Sequence, residues 1–139
     1  MGRVPGLPVR VKVLLDSHAL LWFLRGDDDR FPSQMRELIE DPTTAVWVSV
    51  ASQWELMIKA LGRRLRLPDA PERFLVDLPQ EAGFRVLPIH ERHVAVLAEL
   101  PAIHSNPFDR MLIAQALVEN LELVTGDDVL RGYPVRTIW

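Results

Sequence analysis

Four acidic residues stand where solubility gives no reason for them. Asp16 closes the apolar run Val13-Leu14-Leu15, and Asp127 follows Leu121-Glu122-Leu123-Val124 after Thr125-Gly126. Glu55 lies among Trp54, Leu56, Met57 and Ile58, and Asp109 sits just inside an apolar segment that opens at Pro107. Each has an ordinary structural reading: Asp16 and Asp109, near helix starts, complement the helix dipole, and Glu55 completes a capping box with Ser52. Brought to one place, however, four carboxylates repel strongly. A hard divalent cation relieves that repulsion, and Mg²⁺ does so through a few carboxylates while keeping waters and accepting phosphate oxygens. The chemistry this suits is phosphodiester hydrolysis. One ion lowers the pKa of a bound water, and a second, typically about 3.5–4 Å away, stabilises the leaving oxygen. No nucleophilic side chain is needed.

Convergence requires a fold that gathers these positions. Val9, Val11 and Val13 alternate with Arg10 and Lys12 before Leu14-Leu15, which reads as a strand entering a buried sheet and ending at Asp16. A short buried helix follows from Ser17 or His18 to Leu24, stopped by Gly26, and Ser33 caps a second helix that runs to about Asp41. Val46-Trp47-Val48 is a second strand. The helix carrying Glu55 starts at Ser49 or Ser52 and ends at Gly62. Phe74, Leu75 and Leu78 suggest another helix, and Phe84 to Ile89 a third strand. Helices over about 91–100 and 107–119, a fourth strand at Leu121-Val124 and an edge strand within Val135-Ile138 complete the chain. Alternating strands and helices predict an α/β fold. It is a three-layer α/β/α arrangement with a central, mainly parallel sheet of four or five strands, and sites in such folds form beyond the strands' carboxyl ends.

Bulk properties narrow the alternatives. With 139 residues, 48% of them hydrophobic, the chain fits one domain with a real core. We read it as a single domain over residues 9–139 preceded by an N-terminal extension, residues 1–8. There is no cysteine, so disulfides and thiolate zinc sites are excluded. No stretch has the length or apolarity of a signal peptide or membrane span, and a cytoplasmic protein with no membrane association is expected. The formal net charge of −3 means that any nucleic-acid contact must come from a local patch.

Four segments together resemble the PIN domain family, specifically the VapC-type toxins of toxin–antitoxin pairs. They are Leu14-Leu15-Asp16-Ser17-His18, the stretch Ser49 to Glu55, the stretch from His104 through Asn106-Pro107-Phe108-Asp109-Arg110 to Gln115, and Val124-Thr125-Gly126-Asp127. The likeness spans nearly the whole chain. It implies that Asp16, Glu55, Asp109 and Asp127 are the catalytic and metal-holding acids, that Thr125 supports them, and that Asp127, which keeps the Thr-x-Asp spacing, serves in preference to Asp128. It further implies Mg²⁺ or Mn²⁺ as cofactor, an RNA substrate, a cognate antitoxin and a homodimer. The chain departs from the pattern at Asn106, where related chains often carry aspartate.

Other features have two readings each. Lys59, Arg63, Arg64 and Arg66 suit either RNA phosphates or a solvated helix end, and Arg110 either a salt bridge with an acid or a phosphate. His18, His90, His93 and His104 show no ligand spacing on one helix face, and His104 reads as a loop or capping residue. Trp22, Phe23, Trp54 and Met57 either line a groove for an antitoxin helix or belong to the core. Two rival functions remain. A Mg²⁺-dependent phosphatase or phospho-acceptor domain also places an aspartate after its first strand, but the dehalogenase type wants a second acid where His18 stands. A non-catalytic binding module would not need the intact acid set.

Overall fold

The computed structural model describes residues 8–139, so all of the expected extension except Pro8 lies outside the described residues. The elements run β1 (Val11–Leu15), α1 (Ser17–Arg25), α2 (Ser33–Glu40), β2 (Thr44–Ser49) and α3 (Val50–Leu61). A π-helical turn, Arg73–Asp77, leads into α4 (Leu78–Glu81), followed by β3 (Arg85–Leu87), α5 (Glu91–Leu97), α6 (Pro107–Glu119), β4 (Glu122–Val124) and β5 (Thr137–Ile138). All five strands are parallel, in the order β3-β2-β1-β4-β5. The three-layer α/β/α expectation is met, and the edge strand pairs with β4.

The pleat sorts the core. Val13 and Leu15 of β1, with Val46 and Val48 of β2, join Leu20, Met35, Ile39, Leu56 and Phe74 on one face. Leu14 and Leu123 face the other way, onto Leu112, Ile113, Leu100 and Tyr133. A central parallel strand covered on both faces must be apolar at every step, which is why Val13-Leu14-Leu15 does not alternate.

Chain order places the site. From β1 the chain moves outward to β2 and β3, then returns to the other flank of β1 with β4. The switch point of this sheet is therefore the β1/β4 seam, where crevices form in parallel α/β folds. Register makes the seam flush: Leu15 pairs with Val124, so Asp16 and Thr125 emerge side by side.

Two local expectations are corrected. Ser33 is the first residue of α2, not its cap; Pro32 holds the cap position and offers no side-chain bond. The Ser52–Glu55 capping box does not form. Helix α3 is capped by Ser49, whose hydroxyl accepts from the Ala51 N–H at 3.0 Å. An earlier start leaves Ser52 and Glu55 inside the helix, where Glu55 points to partners from other elements.

A buried polar tie fixes α6 against the β2–α3 junction. Ser49 Oγ donates to Gln115 Oε1 at 2.5 Å, and Gln115 Nε2 donates to the Pro88 carbonyl at 3.2 Å. We expect Gln115→Leu to strand the Ser49 hydroxyl and to destabilise by on the order of 2 kcal/mol. Urea unfolding checks this, as a lower midpoint at unchanged m-value; an unchanged midpoint would refute the tie.

Candidate metal centre

Asp16 leaves β1 and caps α1, its Oδ1 accepting from the Ala19 N–H at 2.7 Å. Its carboxylate also accepts from the Thr125 hydroxyl. That hydroxyl in turn accepts from the Asp127 N–H at 3.0 Å, so one fully buried threonine links the residues after β1 and β4. Capping alone does not explain Asp16. The side chain is only 4% exposed, and burial pushes its carboxyl up from 3.8 to about 6 despite the Thr125 and Ala19 bonds. Such a rise corresponds to about 3 kcal/mol against the charged form at neutral pH. A cap contributes roughly 0.5–2 kcal/mol, and Asn or Ser would supply it without that cost.

Helix α6 brings Asp109. Pro107 occupies the first turn, and Asn106 caps it, its Oδ1 accepting from the N–H groups of Phe108 at 2.9 Å and Asp109 at 3.2 Å. The Asp109 carboxyl is raised, first by burial and then by the nearby charge of Glu55, while the bond to His104 opposes the rise. Asp109 also adds to the upward push on Asp16 and itself feels Asp127. It is the electrostatic hub of the four acids.

Asp127 is half-buried. Its Oδ1 accepts from the Val129 N–H at 2.9 Å, whereas Asp128 is exposed and paired with Arg131 at 3.0 Å. Donor atoms of Asp127, Asp109 and His104 lie within 4.8 Å of one another. Carboxylate oxygens with one imidazole nitrogen fit a divalent first-row cation such as Mn²⁺, and also Mg²⁺ if His104 orients Asp109 instead of ligating.

Glu55 is nearly buried and held by its own chain. Its Oε1 accepts from Ser17 Oγ at 2.6 Å, and its Oε2 from Asn106 Nδ2 at 3.3 Å, with Lys59 Nζ at 3.5 Å. The structure thus joins Asp109 and Asp127 directly. Glu55 acts on Asp109, and Asp109 on Asp16, through charge, and both Glu55 and Asp16 lie outside the three-residue donor cluster.

Sequence reasoning missed His104 and Ser17. His104 reaches Asp109 Oδ2 at 2.9 Å because its own N–H donates to the Tyr133 hydroxyl at 2.7 Å, which folds the preceding loop over the start of α6. The only local signal was a histidine five residues before an acid across a helix-opening proline. His18 stacks on Trp22, and His93 bonds Glu119. Among the described residues Arg110 pairs with no acid; it donates to the carbonyls of Pro101 and Leu97 and to the Tyr133 hydroxyl. Trp22, Phe23 and Met57 pack on the core, while Trp54 is exposed edge-on to Phe108.

A family model described as "PIN domain" matches residues 13–135. The chain belongs to the PIN domain family. No curated protein matches it. Among solved structures, VapBC2 from Rickettsia felis, bound to a DNA fragment from its promoter, aligns with TM-score 0.70 at 13% identity, over 93% of this chain and 99% of that one. FitAcB from Neisseria gonorrhoeae gives 0.67 at 22%, over 91% and 96%. A toxin–antitoxin complex from Klebsiella pneumoniae gives 0.52 at 20%, over 91% and 96%. At these identities the likeness is one of fold. It places the PIN sheet, and with it the β1/β4 seam, in a recurrent architecture.

Two outcomes follow for this PIN domain. Because the Asp16 pKa is raised on folding, its stabilising contribution is complete below about pH 4 and is lost as pH rises through about 6. In EDTA, Asp16→Asn should therefore melt several degrees above wild type at pH 7.5, the gap closing by pH 4; equal melting at pH 7.5 would contradict the buried charge. A Cβ on Gly126 would lie 2.7 Å from the Trp139 ring, which itself packs on Trp22 and Phe31. Gly126→Ala should cost about 1–3 kcal/mol by overpacking, read by thermal melting, and no loss would show that the indole moves freely.

Proposed function

We propose that this chain is a metal-dependent endoribonuclease, the toxin of a VapBC-type toxin–antitoxin pair acting in the cytoplasm. The observation that carries this reading is the meeting of Asp109, Asp127 and His104 at the β1/β4 switch point, with the charge of Asp16 buried beside them. A carboxylate set this costly to assemble is accounted for by a cation, and PIN domains of this toxin class are typically nucleases.

Asp109 and Asp127 would hold the ion, Mg²⁺ or Mn²⁺, with His104 as a further donor or as the group that orients Asp109. When bound, the ion supplies acidity to a water and neutralises charge on the scissile phosphate. The remaining work falls to the chain. Thr125 fixes Asp16 and Asp127 relative to each other, and Asn106 aims the first turn of α6 at the rim. Beside Glu55, a cavity of about 360 Å³ is lined by Lys59, Arg64, Ser105 and Phe108. Its two cations suit the phosphates on either side of the cleaved bond, and RNA would be bound by backbone and shape because no base-reading motif is present.

The partner assignments rest on a second feature. Val50, Trp54, Ile58 and Leu61 share one face of α3 and are all exposed, Leu61 to 72%. An apolar stripe of this kind supports a contact with another protein, and we assign it to a homodimer, with the cognate antitoxin as a separate partner. Among the described residues no helix is long and apolar enough to cross a membrane.

Purified protein given a mixed structured RNA and Mn²⁺ should make discrete cuts that vanish in EDTA. Asp109→Asn and Asp127→Asn should each slow cutting at least about a hundredfold, since a lost ligand removes several kcal/mol of charge stabilisation. Cutting by both variants at the wild-type rate would refute the assignment.

A further inference from the structure

Between Glu55 and Asp69 the chain carries four cations, Lys59, Arg63, Arg64 and Arg66, and no acid, in a protein whose net charge is −3. Lys59 pairs with Glu55. Among the described residues the three arginine side chains have no hydrogen bond or ion pair, and all three residues are exposed. The segment is held by its apolar members: Leu65 and Leu67 pack on the core, and Arg64 and Arg66, which alternate with them, are left outside. Its brace is a fifth cation, since Arg25 at the end of α1 donates to the Arg66 carbonyl. Attraction to the negative end of α3 accounts for Lys59 and Arg63, but it fades within the last turn and leaves Arg66 unexplained.

The helix end sends these cations apart. Helix α3 closes in a Schellman turn, the Arg63 N–H donating to the Ala60 carbonyl at 3.2 Å and the Arg64 N–H to the Lys59 carbonyl at 2.9 Å. Glycine usually takes the left-handed place in such a turn, yet Arg63 holds it at φ 58°, with Gly62 one position too early. Consecutive arginines thereby line different cavities. Arg64 lines one of about 360 Å³ with Glu55 and Lys59, while Arg63 and Arg66 line a second of about 360 Å³ with Leu65 and Leu67. Asp69 borders the second cavity without an ion pair to either arginine. Planar guanidinium groups whose donors are free match phosphate oxygens two at a time. Resting on the nuclease reading, we propose that the RNA strand extends from the acidic rim past Lys59 and Arg64, over the end of α3 and into the second cavity, where Arg63 and Arg66 hold phosphates remote from the cleaved bond. An acidic protein segment would meet the same charges. The first cavity, however, shares Glu55 and Asn106 with the rim, and that continuity favours the polynucleotide.

Binding of a labelled single-stranded RNA to the full chain in EDTA, followed by fluorescence anisotropy, tests this path without cleavage. Arg63→Gln with Arg66→Gln should weaken binding at least about tenfold and flatten the slope of log K against log salt by about 1.4, the share of two phosphates on a single strand. Lysine at both positions should restore the slope. Removing two exposed charges elsewhere, Arg10→Gln with Arg30→Gln, should change the affinity less than about twofold. In Mn²⁺, shortening the RNA on one side of its cut should raise KM at least about tenfold in the wild type and leave KM of the Arg63/Arg66 double variant unmoved. An unchanged salt slope in that variant, an equal loss in the Arg10/Arg30 control, or the same KM rise in variant and wild type would each overturn the inference. So would weaker binding of polyglutamate with RNA binding intact, which would assign the cations to an acidic protein segment. The nuclease reading fails separately: no cutting by the wild type, with the arginine-dependent RNA binding present, would remove that reading and leave the strand path.

Discussion

Removing the Asp16 carboxylate from water is the constraint around which this PIN domain is arranged. Its backbone is fixed by the parallel pairing of β1 with β4, which sets Asp16 next to Thr125 at the sheet's carboxyl edge. Neither residue can move without breaking strand ends whose last side chains, Leu14, Leu15, Leu123 and Val124, are fully buried. A charge that cannot reach solvent is tolerated only with hydrogen-bond donors or a counter-ion. The protein supplies two donors, Ala19 N–H and Thr125 Oγ, and these leave the carboxyl still raised.

The other acids inherit the same logic. Each is delivered by the end of an element whose position the core dictates: Glu55 by α3, which begins directly after β2, Asp109 by the capped start of α6, and Asp127 by the turn after β4. Backbone and side-chain donors orient every one of them, so the cluster is organised before any ligand arrives. Preorganisation of this kind puts the electrostatic cost into folding instead of binding. The cost is visible in the two carboxyls that burial and mutual repulsion push upward, Asp16 and Asp109.

Much of this was legible in the sequence, because strand ends leave a local trace. An apolar run that halts at an acid identifies Asp16 and Asp127, and a proline after Asn106 marks the start of the helix carrying Asp109. What stayed hidden involves contacts across long separations. Ser17 and Glu55 are 38 residues apart, and Asn106 and Glu55 are 51 apart, so the local Ser-x-x-Glu pattern suggested a capping box that competing long-range partners displaced. His104 was missed because it lies in a loop without periodicity and is aimed by Tyr133, itself far along the chain. The salt bridge expected of Arg110 does not form because its guanidinium is taken by the carbonyls of Pro101 and Leu97 and the Tyr133 hydroxyl, which composition does not reveal.

The central claim is that the rim carries charge which the protein alone leaves uncompensated and a divalent ion neutralises. The most direct measurement is a carbon-13 NMR titration of the Asp16 side-chain carboxyl with and without Mg²⁺. The account predicts a midpoint near 6 in EDTA and a clear downward displacement when Mg²⁺ is added. A midpoint in the ordinary carboxylate range in EDTA, or one that Mg²⁺ leaves unmoved, would contradict it.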